Sequence, residues 1–266
     1  MEQYRTLGVN GSFYPNSCEE IKKYIEYFNS LLEKNKIYID NTIDPKAIIS
    51  PHAGYVYSGF TANLAYNYFK NSNYKTIVII GPSHKVYLEG ISVAQYSFYP
   101  TPCGDIEIDN KLSNQLIDKF NYINFYPQVH KEHSTETQLP FIQYYTNNNI
   151  KVIELIYGKI SYEKLSKVIE ELYNKDTFFV ISTDLSHFYT QQVAYQLDNI
   201  CLEGIKKYDI NILNNGCEAC GIIGIKAFLD IAKKHNLKVK ILDYRTSGDI
   251  SNDFSKVVGY TSAVFF

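Results

Sequence analysis

Three of the six histidines in this chain follow closely on an apolar run. "AIIS" (47–50) leads into Pro51-His52-Ala53-Gly54, "IVII" (77–80) into Gly81-Pro82-Ser83-His84, and "FFVIS" (178–182) into Thr183-Asp184-Leu185-Ser186-His187. Imidazole nitrogens bind transition metals or move protons near neutral pH, and a neighbouring carboxylate orients or charges them. Cys220, in "GCEACGIIGIKAF", stands near the start of an expected helix, where free N–H groups favour a thiolate. A thiolate beside two imidazoles is a competent ligand set for iron, copper or zinc. Cys217 completes a single C-x-x-C with Cys220; a structural zinc site would want a second pair, and there is none.

His133, in "KEHSTETQLP", precedes an expected helix, with Glu136 three residues on. It is a candidate acid, base or substrate donor; the plainer alternative is a helix-start histidine beside Glu132. The spacing is not HExxH, which excludes a zincin motif. His130 and His235 read as surface residues, and Cys18, Cys103 and Cys201 as buried thiols without partners.

These residues need a scaffold that gathers them. Runs at 46–50, 75–80, 90–96, 150–157, 177–182, 238–244 and 257–266 read as strands. Helical spacing is found over 18–35 with Ser17 as N-cap, 60–70, 109–120 capped by Asp109, 135–146, 161–174, 191–207 and 218–235. A polar stretch from Thr146 to Asn149 reads as a turn. Apolar strands alternating with amphipathic helices predict an α/β sandwich: one mixed, largely parallel central sheet covered by helices, with the last two strands antiparallel. No repeat or low-complexity linker interrupts 1–266, so a single domain is expected. In such sheets ligands bind beyond the carboxyl ends of the strands. Parallel neighbours would therefore bring His52, His84, Asp184 and His187 to one crevice, with Gly54 and Gly81 turning the backbone and Pro51 and Pro82 stiffening it. The alternative is that each histidine separately hydrogen-bonds its own loop.

Composition narrows the classes. Net charge is −2, against a phosphate-backbone binder. No window approaches a membrane span and the N-terminus lacks a signal layout, so a cytoplasmic protein with five reduced thiols is expected. The 25 tyrosines and absent tryptophan fit AT-rich codon usage better than a tyrosine-lined pocket. No Walker loop, GxGxxG or GxSxG occurs, which argues against nucleotide cofactors and nucleophile-elbow hydrolases.

With these residues in view, the chain resembles the Memo family, known in microbes as AmmeMemoRadiSam system protein B. The resemblance runs nearly end to end through "GSFYP" (11–15), "PHAGYVYSG" (51–59), "GPSH" (81–84), "TPCGDIEID" (101–109), "EHSTETQLPF" (132–141), "STDLSHF" (182–188) and "ACGIIGI" (219–225). It implies a fold like that of class III extradiol dioxygenases, with His52 and His84 as two metal ligands and Cys220 where the dioxygenases use a carboxylate. It further implies that His187 is an acid or base, with Asp184 beside it and His133 in the pocket. Exchanging a hard carboxylate for a soft thiolate moves metal preference toward copper or zinc and exposes the ligand to oxidation, so ring cleavage does not carry over. The expectation is a metal-dependent redox protein holding iron or copper, with zinc as a third choice. It would act on an unidentified small substrate or peptide, alongside a radical S-adenosylmethionine protein and an AMMECR-type partner. The alternatives are a peptide- or protein-binding module with a relic pocket, and a hydrolase using metal-bound water.

Overall fold

A computed structural model describes residues 3–69, 74–146 and 150–266. The strands are β1 (Ala47–Ser50), β2 (Thr76–Pro82), β3 (Ile91–Val93), β4 (Phe98–Tyr99), β5 (Ile106–Ile108), β6 (Ile123–Asn124), β7 (Lys151–Tyr157), β8 (Thr177–Ser182), β9 (His187–Tyr189), β10 (Val239–Thr246) and β11 (Val257–Phe265). The helices are α1 (Cys18–Lys34), α2 (Tyr55–Asn67), α3 (Asn110–Lys119), α4 (His133–Glu136), α5 (Leu139–Tyr145), α6 (Tyr162–Leu172), α7 (Gln191–Lys207), α8 (Ile210–Asn214), α9 (Ile222–Lys234) and α10 (Gly248–Ser251).

The strands join in the order β10-β11-β1-β8-β2-β7-β3-β6. β1, β8, β2 and β7 are parallel neighbours, while β11 runs antiparallel to β1 and to β10. This is the expected mixed, largely parallel sheet in a single-domain α/β fold. Alternate residues of each central strand enter different cores. Val78, Ile80, Phe179 and Ile181 pack on the side of α6 and α9; Ile77, Ile79, Phe178 and Val180 pack on the side of α1, α2 and α5. Burial on both faces is why these strands read as unbroken apolar runs.

The helix limits follow local signals where those exist. Ser17 caps α1 through Glu20 N–H, and Asp109 caps α3 through Leu112 N–H. Elsewhere tertiary packing decides. α2 begins at Tyr55, five residues before the expected start, because Gly54 serves as its N-cap, Tyr55 stacks on Phe141 of α5, and Gly59 lies against Phe28 of α1. The expected helix at 135–146 is two: α4 and α5, with Pro140 tolerated in the first turn of α5. Residues 147–149 of the expected turn, and residue 70 of the expected second helix, lie outside the described residues.

Four cysteines expected to be unpaired are paired: Cys18 with Cys103, and Cys201 with Cys217. They are 85 and 16 residues apart in sequence, a juxtaposition only the folded chain creates. Cys217 therefore does not act with Cys220 as a C-x-x-C pair, and Cys220 alone is free. His130 is buried rather than at the surface, 1% exposed between Ser92 and Glu154. His235 is half-buried, stacked on Tyr173 and paired with Glu170. Among the described residues, no helix is long and apolar enough to cross a membrane.

Candidate metal centre

Because β8 lies between β1 and β2, three loops leave the sheet side by side. Each carries its functional side chain two residues past the strand: His52 after Ser50, Asp184 after Ser182, His84 after Pro82. The fourth contributor, the segment before α9, is pinned onto the β8 loop. Cys220 N–H donates to Asp184 O at 3.2 Å, and Gly221 N–H donates to Thr183 Oγ1 at 2.9 Å. The segment fits because a side chain at Gly221 would stand 2.7 Å from Ser182 O and closer still to Thr183.

His52, His84 and Cys220 each place a ligand atom within 4.8 Å of the others. His52 Nε2 is 3.3 Å from Cys220 Sγ. The three imidazoles of His52, His84 and His133 have centroids 4.6 to 5.3 Å apart. His133 stands beside the cluster without joining its ligand set; it forms a second group with His84 and Glu132. His187 opens β9, close enough for its charge to bear on His52 and Asp184. Next to it, exposed Phe188 holds φ +66, a left-handed conformation that costs a bulky residue on the order of 1–3 kcal/mol and is concentrated at functional sites.

The hydrogen bonds determine which nitrogens face the cluster. Ser182 Oγ donates its one hydrogen to Ser134 O, so it accepts from His52 Nδ1 at 2.9 Å. His52 therefore carries its proton on Nδ1 and turns the Nε2 lone pair toward Cys220. Burial, then the neighbouring His133 and His84, holds the His52 pKa well below the ordinary imidazole range, so the ring is neutral. Burial and the Asp184 carboxylate push the Cys220 thiol up to about 12, against the expectation of a thiolate favoured by the start of α9. Burial raises Asp184 too, although His52 N–H donates to it at 2.8 Å.

This donor set fits a transition metal ion. A neutral imidazole lone pair and a thiol sulfur converge in a buried place. Donors on one tetrahedral ion sit roughly 3.3–3.6 Å apart, and the 3.3 Å between Nε2 and Sγ falls in that range. A cation would also favour the thiolate that burial opposes. The site is open on one side: the side chains of His84 and His133 are 29% and 17% exposed, whereas His52 is 1% exposed. Phe13 packs edge-on against His133 at 5.2 Å and also lines a neighbouring cleft of about 440 Å³ with Tyr14, Tyr24 and Tyr55.

Sequence reasoning missed the residues underneath. Glu132 is fully buried and accepts from His84, Lys85, His133 and Ser134. Behind it lies a buried network. Arg5 donates to Glu136 Oε2 at 2.7 Å and to Glu132 O at 2.9 Å, and sits 3.2 Å from Glu154, which also binds His130 and Tyr99. One sign of it was available: Glu154 interrupts "VIELIY", and a carboxylate inside a buried strand demands partners. Gly81 serves a purpose other than the turn expected of it. It lies within β2, and a Cβ there would meet Ser134 Oγ at 2.5 Å, so its smallness admits α4.

The model of the family described as Memo-like protein matches residues 5–264. A MEMO1 family protein of Thermoplasma volcanium is 31% identical, over 98% of this chain and 97% of its own length. MEMO1 family proteins of Sulfurisphaera tokodaii and Aquifex aeolicus are each 32% identical, over 98% of this chain and 99% and 98% of their own.

Proposed function

The chain belongs to the Memo-like family, and from that premise we propose that it is a metal-dependent redox protein. His52, His84 and Cys220 would hold iron or copper. The observation that carries this reading is the convergence of those three ligand atoms within 4.8 Å, with His52 buried, Cys220 half-buried and His84 exposed. Two imidazoles and a soft thiolate suit iron, copper or zinc better than magnesium or calcium. Iron or copper bound there would supply one-electron chemistry to a ligand in the open position. His187 and His133 take up and release protons at the rim, and the Asp184 carboxylate, beside His52 and under the influence of His187, sets the charge against which they do so. The exposed His84 and His133 edge is where an unidentified small substrate or peptide would approach. A radical S-adenosylmethionine protein and an AMMECR-type protein, implied by the resemblance, are the partners proposed for it.

The test is metal content. Wild-type protein purified without added metal should carry close to one equivalent of iron or copper. A His52→Ala, His84→Ala double variant of normal fold should carry a small fraction of that. Equal metal in both samples would refute the proposal.

A further inference from the structure

Glu132 stands between the loop after β2 and the start of α4. Its Oε1 accepts from His84 Nδ1 at 3.2 Å and from His133 N–H at 2.8 Å, and His133 Nδ1 lies 2.6 Å from the same oxygen. Its Oε2 accepts from His84 N–H at 2.7 Å and Lys85 N–H at 3.3 Å. Four backbone N–H groups point at this carboxyl, those of His133 and Ser134 at Oε1 and those of His84 and Lys85 at Oε2, and each of them can only donate. With both oxygens occupied as acceptors, the ring nitrogens that approach Oε1 come to it as donors, which puts hydrogen on both Nδ1 atoms and leaves both Nε2 atoms as lone-pair donors.

We propose that Glu132 is the positioning residue of this centre: one buried carboxylate that fixes the Nδ1–H tautomer of both His84 and His133 and ties the β2 loop to α4. His84 Nε2 then faces the cation site and His133 Nε2 remains a proton acceptor beside it. With Ser182 acting on His52, all three rings are set to the same tautomer by two separate devices. Arg5 supports the first of them, since its guanidinium holds the Glu132 carbonyl at 2.9 Å. The cation-affinity readout below rests on the proposed metal reading; the tautomer readout does not.

The experiment is long-range ¹H–¹⁵N correlation on metal-free protein carrying ¹⁵N-histidine, at a pH where the rings are neutral. Signals are assigned with single His→Gln variants, and Co²⁺ titration is run in parallel. Wild-type protein should show His52, His84 and His133 all protonated on Nδ1. In Glu132→Gln, an amide NH₂ replaces one acceptor oxygen. His84 or His133 should then populate the Nε2–H tautomer while His52 is unchanged, and Co²⁺ affinity should fall about 10- to 100-fold. In Ser182→Ala the pattern should reverse: His52 shifts and the other two do not. An Nε2–H tautomer at His84 or His133 in wild-type protein, or both Nδ1–H tautomers persisting in Glu132→Gln, would overturn the proposal. The expected tautomers without any Co²⁺ binding by wild-type protein would leave the positioning role standing and refute the metal reading.

Discussion

Replacing Arg5 with methionine tests whether the centre rests on a buried charge network. Arg5 is 1% exposed, lies 4.3 Å from the Tyr99 ring, and faces two carboxylates with fully buried side chains, Glu136 and Glu154. Removing the cation leaves both uncompensated. Breaking a buried pair from one side costs about 3–5 kcal/mol. Hydrogen bonds to Glu136 from Gly8, Val9 and Tyr14, and to Glu154 from His130 and Tyr99, survive the change, so the lower half of that range is expected. At roughly 2–4 °C per kcal/mol for a chain of this size, melting should fall by about 10 °C.

The same variant has a pH signature. Burial pushes Glu154 up, but the Arg5 charge, then His130 and hydrogen bonds from His130 and Thr135, bring it down to about 2 from an ordinary 4.5. A depressed folded-state pKa means the unfolded chain binds the proton more readily in acid. This carboxylate therefore contributes stability that is complete above about pH 4.5 and is lost as pH falls through about 2. Without Arg5, burial dominates and the carboxyl protonates at higher pH, so acid unfolding should begin at higher pH than in wild type. Urea unfolding across pH 3–8, with Glu154→Gln and the double variant, reads both effects. The double variant should lose less than the sum of the singles by at least about 1 kcal/mol. A loss under about 1 kcal/mol for Arg5→Met, strict additivity, or an unmoved acid limb would refute the reasoning.

Gly81→Ala should destabilise the fold by about 1–3 kcal/mol through overpacking against Ser134 and Thr135. It should also lower Co²⁺ affinity by displacing α4, as thermal melts and Co²⁺ titration would show; unchanged affinity with reduced stability would disconnect α4 from the centre. Thiol titration of unreduced, unfolded protein should find one thiol, that of Cys220, and a count of five would refute the pairing. Chain-entropy reasoning assigns at most about 4–5 kcal/mol to the Cys18–Cys103 link and about 3 kcal/mol to Cys201–Cys217. Denaturant unfolding of the paired Cys→Ser variants should rank them in that order.

The strands of the central sheet, most helices and the identity of the histidine-bearing loops were legible in the sequence because each leaves a local mark. A strand buried on both faces is an unbroken apolar run, a surface helix repeats near 3.6 residues, and a cap or a glycine punctuates. His52, His84 and Asp184 could be picked out because each follows its apolar run within two to four residues; the equal spacing of two appears only because β2 extends to Pro82. Their meeting depended on β8 inserting between β1 and β2, a pairing of segments more than a hundred residues apart that no local pattern encodes. The same holds for everything beneath the ligands. Nothing local marks Glu132 as a buried acceptor until α4 folds against β2, or Arg5 as a buried cation until it is enclosed by Glu136 and Glu154. The two disulfides join cysteines with no mutual signature. The residue types and their spacing were readable as candidate ligands; long-range packing decided which of them meet, and which buried partners, Ser182 for His52 and Glu132 for His84, each ring finds.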